Sequence, residues 1–236
     1  MPNSDHTSKQ FDTDLEDIRS RVLQMGGLVE SQIMSAIEGL STGKEELINR
    51  VIETEPRVNS AEKEIDDACV HVVARRQPAA GDLRLIMGVS KIVTDLERVG
   101  DEAEKIARMA RQIYSRGAIT IPRTIDVRQT GDKAAMMLRS VLDAMARLDT
   151  VEAEKIIADD KLIDTGFRAI MRQLITYMME DPRTISTALD IVWVAKAIER
   201  VGDHAKNIAE QVIYIVRGTD VRHTSPEAAL AAESKS

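Results

Sequence analysis

Glu97-Arg98-Val99-Gly100-Asp101 and Glu199-Arg200-Val201-Gly202-Asp203 are one pentapeptide written twice, each copy inside a strongly helical pattern. The offset of 102 residues between them pairs Leu96 with Ile198, Ala103 with Ala205, Ile106 with Ile208 and Ala107 with Ala209. Apolar positions fall on apolar positions, so the chain is a tandem repeat of a helical unit. A second pair of segments aligns at 105, matching Val51 with Ile156, Ile52 with Ile157, Val58 with Ile163 and Ile65 with Ile170.

Outward from the pentapeptides, apolar steps of three and four mark three helices in each half. The first runs through Leu15, Ile18, Val22, Met25, Val29, Ile33, Ile37 and Leu40 and ends at Thr42-Gly43. The second carries Leu47, Val51, Val58, Ile65 and Val72 into Gln77-Pro78-Ala79-Ala80-Gly81. The third, with Asp82 placed to cap it, holds the first pentapeptide and runs out at Arg116-Gly117. The plan then repeats, with a break at Asp181-Pro182 and a stop at Arg217-Gly218. The expectation is an all-α protein of two tandem, pseudo-symmetric antiparallel three-helix bundles, residues 11–117 and 124–218, joined by a linker at 118–123. Residues 1–10 and 219–236 lack periodicity and read as flexible tails.

Composition narrows the function. Of 236 residues 43% are hydrophobic, 30% charged and only 3% aromatic, which suits aliphatic helix packing. The net charge of −7, with both signs mixed along the chain, supplies no basic stripe for nucleic acid and no polybasic anchor for lipid. A lone cysteine, Cys69, excludes an intramolecular disulfide, and neither a signal peptide nor a long apolar run occurs, so a cytoplasmic location is expected.

Each pentapeptide spaces two carboxylates by four residues, which puts both on one helix face. With Leu96 at zero and about 100° per residue, Val99, Ala103 and Ile106 cluster near about 320°, Glu97 near about 100° and Asp101 near about 140°. Glu97 with Asp101, and Glu199 with Asp203, therefore face away from their bundle core. The second helix of the first half adds an oxygen stripe, Glu55, Asn59, Glu62 and Asp66, whose aligned positions in the second half are Asp160, Asp164, Phe167 and Met171. If the stripes of the second and third helices meet, each half offers a surface oxygen cluster, richer in the first. Such donors suit magnesium, manganese, calcium or iron better than structural zinc. Repulsion at i, i+4 and an interior glycine each cost a helix stability, and both copies carry both penalties. Two explanations stand: an ion or anionic partner uses the face, or Gly100 and Gly202 permit close helix approach. His204 is a candidate extra ligand or a surface histidine, Cys69 a core residue, and Trp193 a packing or interface residue.

Glu62-x-Glu64-Ile65-Asp66, Arg76-Gln77-Pro78, Asp82-Leu83-Arg84, Met171-Arg172-Gln173-Leu174 and Tyr177-Met178-Met179-Glu180-Asp181-Pro182, together with both pentapeptides, resemble the PhoU family of bacterial phosphate-uptake regulators. The resemblance covers about residues 11–222. It implies metal clusters on paired acidic motifs, matched here by Glu97 with Asp101, Glu199 with Asp203, Asp160 with Asp164, and less well by Glu55 with Asn59, where Pro56 intervenes. The ions expected from it are iron, manganese, magnesium or zinc.

It further implies a cytoplasmic, non-catalytic homodimer that restrains the phosphate-starvation response and modulates high-affinity uptake. Its partners would be a phosphate-sensing histidine kinase (PhoR-like) and the ATPase of the phosphate ABC transporter (PstB-like), with membrane association only through them. Two further readings remain beside the adaptor: a hydrolase or iron-redox enzyme using the acidic clusters, and a metal-storage protein. No nucleophile–base pair or nucleotide loop supports an enzyme.

Overall fold

The computed structural model describes residues 4–116 and 126–222. Six α-helices account for nearly all of them: α1 (Ser4–Thr42), α2 (Glu45–Arg76), α3 (Ala80–Ser115), α4 (Val127–Arg147), α5 (Thr150–Glu180) and α6 (Ile185–Arg217), with a 3-10 turn at Pro182–Thr184 before α6. The linker expected at 118–123, and residues 223–236 of the expected tail, lie outside the described residues.

The helix ends follow local chemistry. Gly43 and Gly218 take positive φ, 69° and 74°, and release α1 and α6. Asp149 caps α5 by accepting from the backbone N–H groups of Val151 and Glu152, and Asp181 accepts from Arg183 to start the 3-10 turn. Two details differ from expectation. The chain is already helical at Ser4, so the stretch 1–10 is not all tail. Ala79, not Asp82, occupies the N-cap of α3, and Asp82 sits in its first turn, where its charge still meets the positive end of the helix.

Helices α1, α2 and α3 pack on one another, as do α4, α5 and α6. The two bundles then join along α3 with α6 and α1 with α4, and their buried residues form one continuous apolar core. Gly26 lies against Leu142 and Gly131 against Ile37, so each of α1 and α4 offers a missing side chain where the other crosses. The seam also holds polar pairs: Arg139 with Glu30 at 2.6 Å, Arg128 with Glu38 at 2.8 Å, and Arg116 with Asp190 at 2.5 Å.

His204 belongs to this seam. It is only 7% exposed, and its Nδ1 lies 2.9 Å from Oδ1 of Asp95 on α3, which also accepts from Asn207 at 3.1 Å. It is not a surface histidine, because the face of α6 that points out of its own bundle is covered by α3 of the other. Its ring nitrogen is engaged by Asp95, and it lies near enough to Glu97 to oppose the upward shift of that carboxyl. No helix of the described residues is long and apolar enough to cross a membrane.

Candidate functional site

Glu55 anchors the first acidic cluster. It is 5% exposed, wedged between α1 and α3, where its Oε2 accepts from Gln32 Nε2 at 3.0 Å; the same nitrogen reaches the Val51 carbonyl at 3.2 Å. Gly100 presses on this pair: a Cβ there would stand 3.1 Å from Glu55 Oε2 and 3.3 Å from Gln32 Oε1. The glycine of the repeated pentapeptide therefore lets α3 close over the α1–α2 contact, and its helix-propensity cost is offset by that approach.

Burial pushes the Glu55 carboxyl above the ordinary glutamate range, against the opposing bond from Gln32, and Asp101, Glu104 and Glu97 push it further. Glu62 is raised by burial and then by Asp66 and Asp101; Glu97 is raised by burial and then by Asp101 and Glu62. Glu55, Glu62, Glu97 and Asp101 are thus one set of mutually repelling carboxylates on α2 and α3. Asp66 stands beside them but accepts from Ser90 Oγ at 2.8 Å. Arg108 takes up Glu104 at 2.7 Å. Three buried oxygens here, Gln32 Oε1, Glu55 Oε1 and Asn59 Oδ1, have no hydrogen-bond partner; Gln211 Oε1 is the fourth such atom among the described residues.

The second half repeats the geometry with different charge. Asp160, 7% exposed, lies beside Gly202, whose added Cβ would meet Ile163 Cδ1 at 2.8 Å and Asp160 Oδ1 at 3.5 Å. Lys206 donates to Asp160 Oδ2 at 3.1 Å. Burial is the largest single influence on Lys206 and opposes its charge, yet the bond to Asp160 together with the charges of Asp160, Glu210 and Asp203 outweighs it and the ammonium pKa is raised. Lys196 donates to Glu199 and sits 5.5 Å above the Phe167 ring. Asp203 reaches solvent, but loss of water on its inner side pushes its carboxyl up, and Glu199 and Asp160 add repulsion. Asp164 has Arg168 at 4.0 Å.

The stripes of neighbouring helices do meet within each half, but the picture of two surface clusters needs correction. Glu55 and Asp160 are buried, and Glu97, Asp101 and Glu199 are half-buried. Pro56 does not break α2, which runs unbroken through it. Among the described residues no three histidine, cysteine, aspartate or glutamate side chains converge as a finished metal site. The first cluster nonetheless fits a cation in its chemistry, with oxygen donors only, crowded charge and orphaned buried acceptors; the second does not, because lysines already supply its positive charge. Sequence reasoning missed Gln32, Lys196 and Lys206. The lysines were readable, since the offset of 102 places them on Thr94 and Glu104.

Cys69 is buried as expected, and burial followed by the Asp66 charge pushes its thiol up to about 11, which keeps it protonated and inert. Trp193 is 65% exposed, so it is not the packing residue that was one of its two expected roles.

The family model described as PhoU domain matches twice, over residues 22–110 and 127–212, one match for each three-helix unit. The chain is 50% identical over 219 residues to the phosphate-specific transport system accessory protein PhoU homolog of Pseudomonas aeruginosa, an alignment covering 92% of this chain and 90% of that one. It is 45% identical over 218 residues to the phosphate-specific transport system accessory protein PhoU of Escherichia coli, covering 92% and 90%. The crystal structure of PhoU from Pseudomonas aeruginosa superposes with a TM-score of 0.85 at 48% identity, covering 89% of this chain and 100% of that one. The phosphate transport system regulatory protein PhoU from Streptococcus pneumoniae superposes at 0.81 with 25% identity, covering 89% and 99%. Two family matches on two superposable helical units, supported by relatives aligned over nearly their full length, make this chain a member of the PhoU family.

Proposed function

We propose that the protein is a negative regulator of the phosphate-starvation response and a modulator of high-affinity phosphate uptake. It acts as a cytoplasmic adaptor, as a homodimer, between the ATPase of a phosphate ABC transporter and a phosphate-sensing histidine kinase. The observation that carries this reading is the near full-length identity to proteins named as accessory to phosphate-specific transport. The architecture is compatible with it: long rigid helices present side chains over a wide surface, and Ile185, Leu189 and Trp193 expose an apolar stripe along one face of α6. Deleting the gene should derepress phosphate-starvation genes in phosphate-rich medium, and the purified protein should be retained on immobilised transporter ATPase and kinase. Unchanged expression together with no retention would reject the adaptor.

A second reading, cation binding, is favoured by the orphaned oxygens of Gln32, Glu55 and Asn59. Glu55, Asn59, Glu62, Glu97 and Asp101 would hold a hard cation, which would neutralise the α2–α3 seam and stiffen the hairpin. In this reading the metal is modulatory; regulation that survives its removal leaves the adaptor role intact.

A further inference from the structure

We propose that cation binding is confined to the first half, because the second half carries its own cations: Lys196 and Lys206 occupy the place that a hard divalent ion takes between α2 and α3. The proposal rests on the cation-binding reading above and deepens it.

The two acidic seams are built on the same helix pairs but have been filled differently. In the second half Lys206 bonds to the buried Asp160 and Lys196 to Glu199. Phe167 stands where the first half has Glu62, and its ring lies under Lys196. One carboxylate is thus replaced by a ring that packs an ammonium, and two ammonium groups neutralise two of the remaining acids. In the first half the aligned positions are Thr94 and Glu104, and Glu104 is taken up by Arg108. Arg98 and Lys63 act on Glu97 and Glu62 without forming an ion pair with them, and among the described residues no lysine bonds to Glu55 or Glu97 as Lys206 and Lys196 do to Asp160 and Glu199.

The hydrogen-bond accounting points the same way. Asp160 has a cationic donor in Lys206, whereas Glu55, buried to a similar degree, has only the neutral amide of Gln32 on one oxygen and keeps the other buried and unpaired, as is the Gln32 oxygen. A buried acceptor without a donor is costly, and a cation satisfies several at once. In the second half an incoming ion would have to displace an ammonium from its acid and would meet repulsion from the one displaced.

The test is titration of the chelator-treated full chain with manganese(II) chloride, by calorimetry and by electron paramagnetic resonance of the free ion, with circular dichroism confirming the fold of each variant. Glu97→Gln with Asp101→Asn should weaken binding by about tenfold or more, and Glu199→Gln with Asp203→Asn by less than about twofold. Lys196→Thr with Lys206→Glu, which writes the first half's residues into the second, should add a second class of bound ions. Equal losses from the two acidic double variants, or a folded lysine variant that gains no ion, overturn the one-sided assignment alone. No manganese binding by the unaltered chain overturns the cation-binding reading and this inference with it.

Discussion

Glu55 shows how one side chain links helix packing to the chemistry of the site. Its carboxyl is raised first by burial, with Asp101, Glu104 and Glu97 adding to the shift, so the folded chain binds that proton more tightly than the unfolded chain does. Stability therefore falls as pH rises from the ordinary glutamate range through the raised folded value. Glu55→Gln removes the charge and supplies a donor for the Gln32 oxygen; with chelator at pH 7 it should raise stability by about 1 kcal/mol. The gain should shrink on acidification, which thermal melts at pH 7 and pH 4.5 will show. A gain independent of pH would assign the effect to packing alone.

Gly100 tests the other half of the same contact. Valine there would drive its methyl groups into Glu55, Val58 and Gln32, all already within 3.1–3.3 Å of a Cβ. Gly100→Val should cost about 1–3 kcal/mol by overpacking, beyond any gain in helix propensity, as read from urea unfolding.

At the scale of an element, α2 carries a proline in its interior and stays continuous. Pro56 has no N–H, so the Ile52 carbonyl lacks its i+4 donor, and the flanking turns hold the helix through buried Val51, Glu55 and Val58. Because Pro56 is exposed, Pro56→Ala should not disturb the core. It should raise stability by about 1–3 kcal/mol, less whatever unfolded-chain entropy the proline had removed. A lower melting temperature for the alanine variant would mean that the proline shapes α2 for its packing against α1. Element scale is also where sequence reasoning did best: apolar steps of three and four and the glycines at 43 and 218 are local signals, and the helices follow them.

Across the whole molecule, the two repeats share a core along α3 and α6 instead of folding as separate bodies. The Asp95–His204–Asn207 group is buried in that seam, and losing one partner strands the other in an environment that penalises it. His204→Ala should cost about 3 kcal/mol, and a double-mutant cycle with Asp95→Ala should recover part of it as coupling. Calorimetric unfolding should show a single transition, since neither bundle can open without exposing the other's apolar face. Two resolved transitions would show that the seam is weaker than its burial implies.

The repeat, the six helices and the family were legible in the order of residues alone, because periodicity, end signals and motif spacing are properties of a chain read one element at a time. Burial of the site was not. A helical wheel says which way Glu97 or His204 points from its own bundle; it cannot say that α1 brings Gln32 over Glu55, or that α3 closes over His204. The lysines of the second half could be read off the 102-residue offset, but that Lys206 lands on Asp160 and Lys196 over Phe167 was decided by how α5 and α6 pack. Charge compensation depends on distances between helices, and those are decided by the packing of side chains far apart in sequence.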